Sequence, residues 1–382
     1  MKKMFLMAVA VMMLTACGNK KGQPADNGLT ECTEALLVSL KQMAKDGQYM
    51  FGHQDDPVYG HAWAYDDDRS DVKSVCGDYP AVMGFDLGHL ELGDSCNLDG
   101  VPFDRMRQEI IRQFERGGVV TLSWHLDNPL SGGSAWVADS LVNVETHTVE
   151  AVLPGGEKHE LFLSWLDSVA EFLNSLVTAD GTRVPVIFRP WHEHTGSWFW
   201  WGQRHCTTEQ YVALWRLTEE RLREQGVMNA LFAYSPNQMG DTTQETLMER
   251  YPGDDLVDII GYDQYCSAPD ADTTAIANYA ANLDKFIGYV CEAASQHGKV
   301  AALTETGYEG LKTSDWWTRT LAPVLAKHPV CYVLVWRNAH NIPTHFYAPY
   351  PSQTSAEDFV AFYNDSKTLF LSDVDGLYQK KN

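Results

Sequence analysis

A single-domain (β/α)8 TIM barrel is the fold this sequence predicts, and three observations carry that expectation. From residue 49 onward, short β-rich apolar runs alternate with longer amphipathic ones, about eight of each. Near-continuous apolar strands separated by helices imply parallel pairing with both faces of the sheet covered. No Gly-rich GxGxxG turn follows the first strand, which argues against a doubly wound sheet.

The elements follow in order. Residues 1–17, "MKKMFLMAVAVMMLTAC", have a basic start, a short apolar run and a small residue before Cys17, so they read as a lipoprotein signal peptide. Leu14, Thr15, Ala16 and Cys17 form the lipobox, and Cys17 is the expected lipidation site. A plain secretory signal with an incidental cysteine is the alternative. Residues 18–30 are polar and rich in Gly, Pro and Asn, as a flexible tether is. The rest, 31–382, is assigned to the catalytic domain, opening with a helix near 31–46 that is expected to cap the bottom of the barrel.

The strands are predicted at 49–54, 80–88, 118–125, 184–193, 229–237, 258–265, 299–307 and 330–338. Helices are predicted at 101–117, 159–178, 207–226, 242–251, 273–297, 313–328 and 355–371, and only the first βα unit lacks a clear one. The long mixed segment 126–158 follows the third strand and so belongs to the catalytic face.

The chain has 382 residues, is 45% hydrophobic and carries a formal net charge of −22. Such acidity disfavours nucleic acid and anionic lipid headgroups as partners, since counterion release needs clustered Lys and Arg. Its simplest role is solubility. Beyond Cys17 the cysteines are odd in number; Cys266, Cys291 and Cys331 read as core residues, while Cys76 and Cys96 flank a stretch where a disulfide is conceivable. No zinc-type spacing occurs, and no metal or other cofactor is expected.

Polar and aromatic residues gather where strands end, the place where this fold builds active sites: His125, Trp191, His192, Glu193, Asn237, Asp263, Tyr265, Glu305, Trp336 and Arg337. A single Glu at a strand end is as readily a solvated loop residue. Two of them, Glu193 after the fourth strand and Glu305 after the seventh, face each other across an eight-stranded barrel. That is the arrangement retaining glycosidases need, with one carboxyl group to protonate the leaving oxygen and the other to attack the anomeric carbon. Trp136, Trp198 and Trp336 offer flat apolar faces beside polar groups, suited to stacking pyranose rings. His192 and His194 can point together on a strand, but no third metal ligand is specified and neither HExxH nor GxSxG is present.

The motifs "RPWHEHTGSWFWWG", "GYDQY", "LTETG", "VLVWRN" and "FGHQDD" together resemble glycoside hydrolase family 26, whose typical members are β-mannanases, over essentially the whole mature chain. The resemblance implies a retaining (β/α)8 enzyme with Glu193 as acid/base and Glu305 as nucleophile. It implies that His125 and Trp198 line the site around the cleaved sugar, that Asp263 and Tyr265 orient the nucleophile, and that Trp336 is the platform beneath the sugar. His192 stands where most of the wider clan has Asn, as is typical of family 26. Arg337 and Trp136 are carried as further substrate-binding candidates. Aromatic surroundings should keep Glu193 protonated, while hydrogen bonds from Tyr265 or from Arg189 should keep Glu305 ionised.

The expected function is hydrolysis of internal β-1,4-mannosidic bonds of mannan, galactomannan or glucomannan, with the polysaccharide or its oligosaccharides as partner and the protein a monomer. Release of mannobiose from an end, action on mixed-linkage β-glucan or β-1,3-xylan, and non-catalytic glycan binding are the alternatives. A lipid anchor places the protein at the outer membrane, and the basic residues after Cys17 favour the periplasmic side over the cell surface.

Overall fold

The computed structural model describes residues 28–142, 144–237 and 242–379. The signal peptide, Cys17 and most of the tether therefore lie outside the described residues. Among those described, no helix is long and apolar enough to cross a membrane.

Eight parallel strands close into a barrel: β1 (Tyr49–Gln54), β2 (Val82–Asp86), β3 (Val119–Ser123), β4 (Val186–Arg189), β5 (Ala230–Tyr234), β6 (Ile259–Cys266), β7 (Val300–Tyr308) and β8 (Val330–Val335). They pair in chain order, and closure comes from β1 against β8, with Met50 opposite Tyr332 and His53 opposite Val335. The predicted TIM barrel is thus the observed one. Two features are additional: a short hairpin pairing Tyr59–Gly60 with Trp63–Ala64, and a two-residue strand, Thr368–Leu369, beside the start of β1.

Alternation along each strand sends residues to two separate cores. Met50, Val82, Ile187, Leu231, Ile259, Val300 and Leu334 fill the barrel interior. Their outward neighbours, such as Phe51, Phe85, Phe188 and Phe232, pack beneath the helices.

Helix α1 (Glu31–Lys45) closes the bottom, as expected: its Leu36 and Leu40 are fully buried in the same cluster as the barrel interior. Thr30 caps it by accepting from the Thr33 N–H at 3.2 Å, and Glu31 and Glu34 sit in its first turn where the helix dipole favours acids. The Thr30 N–H donates to the Met228 carbonyl at 2.9 Å, and Lys41 Nζ donates to the Gly298 carbonyl at 2.9 Å, both at the turns that enter β5 and β7.

Several predicted elements end differently, among them the last helix, expected over 355–371, which spans Ala356–Tyr363 and gives way to the strand at Thr368–Leu369. The strand expected to reach Glu193 stops at Arg189, because Pro190 has no N–H to donate and Trp191 and Glu193 take φ of 54° and 53°, outside any strand geometry. The helix expected over 313–328 is a π-helical turn, Trp317–Leu321, running into the short helix Ala322–Leu325. In the first βα unit the crossover helix is only Asp71–Cys76. Cys76 and Cys96 form no disulfide; Cys76 Sγ instead lies 3.3 Å from the Val72 carbonyl.

Candidate active site

The polar ends of the strands meet at the C-terminal mouth of the barrel, around a cavity of about 420 Å³ lined by Glu193, Trp198, Asn237, Asp263, Gln264 and Tyr265. Oxygens from the carboxylates of Glu193, Asp263 and Glu305 lie within 4.8 Å of one another.

Three carboxylates so close demand compensation, and Arg189 supplies it from the end of β4. One of its guanidinium nitrogens donates to Asp263 Oδ2 at 2.8 Å and another donates to Glu305 Oε1. The fork of the guanidinium bridges two acids that would otherwise repel. All three side chains are buried.

Asp263 is held further by Thr304 Oγ1 at 2.6 Å and Ser235 Oγ at 2.9 Å. Burial pushes its carboxyl up to about 7, against the pull of Arg189 and those hydroxyls. Glu305 accepts a second bond on Oε2 from the Tyr265 hydroxyl at 2.7 Å. Both donors expected for Glu305, Arg189 and Tyr265, therefore reach it.

Glu193 has a different environment. Burial, and then the neighbouring charges of Asp263 and Glu305, push its carboxyl well above the usual carboxylate range, although Trp198 and Arg189 pull the other way. Among the described residues its carboxylate accepts from the indole N–H of Trp198, which reaches Oε2 at 2.8 Å. Gly196 makes that bond possible: a Cβ there would overlap the six-membered ring of Trp198, which folds back over the turn.

The glutamates therefore differ in provision: one has a cation and a phenol, the other a neutral indole in a low-dielectric wall.

The remaining candidates fall into three groups. His125 and His192 meet edge to face, with ring centroids 4.4 Å apart, and Trp336 stands edge-on to His125 at 6.2 Å. Trp136 stacks on His125 with centroids 5.0 Å apart and planes 7° from parallel, and it remains 47% exposed. Its segment pairs with the loop after β4: the Val137 N–H donates to the Trp198 carbonyl at 2.8 Å and the Trp200 N–H to the Ala135 carbonyl at 3.1 Å. Arg337 stands apart, with Nη2 2.8 Å from Asp99 Oδ1, beside the loops after β1 and β2.

His194 turns away from His192. Its ring is buried between Tyr211 and Tyr234, at centroid distances of 4.5 and 4.8 Å, so the two histidines share no ligand site. The left-handed turn at Glu193 breaks the alternation that would have aligned them.

Sequence reasoning passed over Asp86, which accepts from His125 Nδ1 at 2.6 Å, although it ends an apolar strand. It also passed over Tyr347, whose ring lies 5.6 Å from that of Tyr265 and packs where a side chain on Gly307 would stand. Nothing in a loop sequence signals that contact.

The model of glycosyl hydrolase family 26 matches residues 26–307. Among solved structures, a family 26 β-mannanase from Bacteroides ovatus is similar with a TM-score of 0.87 and 51% identity, over 92% of this chain and 98% of that one. A modular endo-β-1,4-mannanase from Cellulomonas fimi is similar with a TM-score of 0.81 and 32% identity, over 94% and 80% of the two chains. A mannan endo-1,4-β-mannosidase of Bifidobacterium adolescentis is 33% identical over 369 residues, which cover 91% of this chain but only 35% of that protein.

Proposed function

From the premise that the chain belongs to glycosyl hydrolase family 26, we propose that it is a retaining endo-β-1,4-mannanase in which Glu193 is the acid/base and Glu305 the nucleophile. The observation that carries this reading is the unequal provision of two facing carboxyl groups whose oxygens come within 4.8 Å. Retaining enzymes hold the pair about 5–5.5 Å apart, whereas inverting ones leave about 6.5–9.5 Å for a water.

In the first step the carboxyl of Glu193 gives its proton to the glycosidic oxygen as the bond to the anomeric carbon breaks. Glu305 attacks that carbon from the opposite face and forms a covalent glycosyl-enzyme. In the second step Glu193, now a carboxylate, takes a proton from water, whose oxygen attacks the same carbon and frees Glu305. Arg189 and Tyr265 keep Glu305 aimed at the anomeric carbon through the two bonds they donate to it. The aromatic faces of Trp198 and Trp336 would carry the apolar faces of the sugars.

Mannan as substrate is supported by the relatives named above as mannanases. Cleavage within the chain is supported by the relatives whose names give them endo action, the Cellulomonas fimi and Bifidobacterium adolescentis enzymes.

Products released over time from linear β-1,4-mannan and mannohexaose test the reading, with Glu193→Ala and Glu305→Ala as controls. A spread of oligosaccharides, abolished by both substitutions, is expected. Mannobiose alone from the earliest time would refute internal cleavage, and hydrolysis of another β-glycan in place of mannan would refute the substrate. We also propose that Cys17 is lipidated and that the enzyme is held at the periplasmic side of the outer membrane.

A further inference from the structure

A run of short contacts leads from Asp86 to the residue beside Glu193. Asp86, the last residue of β2, is fully buried. Its Oδ2 accepts from Ser123 Oγ and from His125 Nδ1, both at 2.6 Å, and its Oδ1 accepts from the Gly88 N–H at 2.7 Å. On the far side of the imidazole, His125 Nε2 lies 3.0 Å from His192 Nε2.

Two ring nitrogens at that separation share one proton, so one histidine must donate and the other accept. Burial disfavours a charge on His125, but the Asp86 carboxylate outweighs it and raises this histidine. Burial, and then the charges of Arg189 and His125, hold His192 well below the usual histidine range. The proton therefore belongs to His125, and His192 accepts. Among the other charges acting on His125, Glu305 and Asp99 support the cation and Arg189 opposes it. The stacked face of Trp136 supports the cation too.

The backbone at His192 needs holding, because it lies between two non-glycine residues in the left-handed region, Trp191 at φ 54° and Glu193 at φ 53°. Such conformations persist only where their surroundings over-determine them. Besides the local bond from the Gly196 N–H to the Glu193 carbonyl at 2.9 Å, three bonds from further away hold the backbone. Tyr211 Oη donates to the Trp191 carbonyl at 2.7 Å, Trp201 Nε1 donates to the His192 carbonyl at 2.8 Å, and the Glu193 N–H donates to the Ser235 carbonyl at 2.8 Å. The His192 side chain adds a fourth through His125.

We propose that Asp86 is a positioning residue for the acid/base: it fixes His125, His125 fixes His192, and the left-handed turn that carries Glu193 is thereby aimed at the bond being cut. This inference rests on the reading of Glu193 as the acid. Asp86 meets no sugar and moves no proton in the reaction. Its effect is on where the acid stands, and misplacement of about 1 Å costs about 10²-fold in rate.

Asp86→Asn tests this, since the amide oxygen still accepts a hydrogen bond while the charge is gone. On mannotetraose, whose leaving sugar needs a proton, kcat/KM should fall about 10–100-fold. On a 2,4-dinitrophenyl β-mannobioside, whose leaving group departs without one, it should fall less than about 3-fold. Equal losses on both substrates, or no loss on either, would overturn the proposal. Nitrogen-15 NMR of histidine-labelled wild-type protein makes the same test without turnover. His125 should be protonated on both nitrogens at pH 7, with a strongly downfield Nδ1–H; a neutral His125 would overturn the proposal whatever the variant does. Failure of the wild type to cut mannan would count against the proposed substrate and leave the NMR result standing.

Discussion

At the scale of single residues, the site is an exercise in making two chemically identical groups behave differently. Glu193 is raised by burial and by two neighbouring acids, so its unprotonated form is the costly one. Its folded-state pKa lies above the unfolded value of about 4.3, so between those two values the folded protein holds the extra proton. The stability that goes with this proton is complete below about pH 4.3 and is lost as pH rises through the raised value. Glu193→Gln should therefore stabilise the protein at neutral pH by about 1–2 kcal/mol. Tm should rise by about 2–4 °C, while activity on mannan falls by about 10²-fold or more. Thermal melts at pH 4 and pH 7 check this, and a Tm gain that does not shrink at pH 4 would contradict it. The glutamates themselves were legible because each is the first acid after an apolar run. The Asp86–His125 contact was not, since its partners are 39 positions apart and only the barrel's register brings them together.

At the scale of elements, strand positions were readable because barrel strands are apolar almost throughout and stop at polar residues. The end of β4 was misjudged for a local reason. The polar run after Arg189 looks like a continued strand, but Pro190 and two left-handed residues turn it into the bend that presents Glu193. Pattern reports which residues alternate; it does not report φ. Helix α1 was legible in full, and its energetic part can be measured. Leu40 is fully buried against the inner ends of the strands, so Leu40→Ala should cost about 2–5 kcal/mol of stability through lost contact and the cavity left behind. Because the bottom of a barrel serves stability and the top serves chemistry, kcat on mannan should be unchanged at temperatures where the variant stays folded. Urea denaturation together with initial rates separates the two, and a fall in kcat of more than about 2-fold in fully folded Leu40→Ala would show that the ends are coupled.

At the scale of the whole molecule, charge and architecture act separately. A net charge of −22 sets up a field around the protein, yet a neutral polysaccharide has no charge for that field to steer. The specificity constant on unsubstituted mannan should change less than about 2-fold between 50 and 200 mM salt, while an anionic glycan should bind better as salt rises. Rates at constant pH over that range are the check, and a steep dependence on neutral mannan would point to charged groups in recognition. The described chain also has a direction. Thr30 is tied to Met228 at the bottom of the barrel, so the N-terminal end departs from the face opposite the cleft. A lipid anchor at Cys17, as proposed above, would attach through an end that starts on the side away from the cleft, which leaves the cleft's side open to a long polymer.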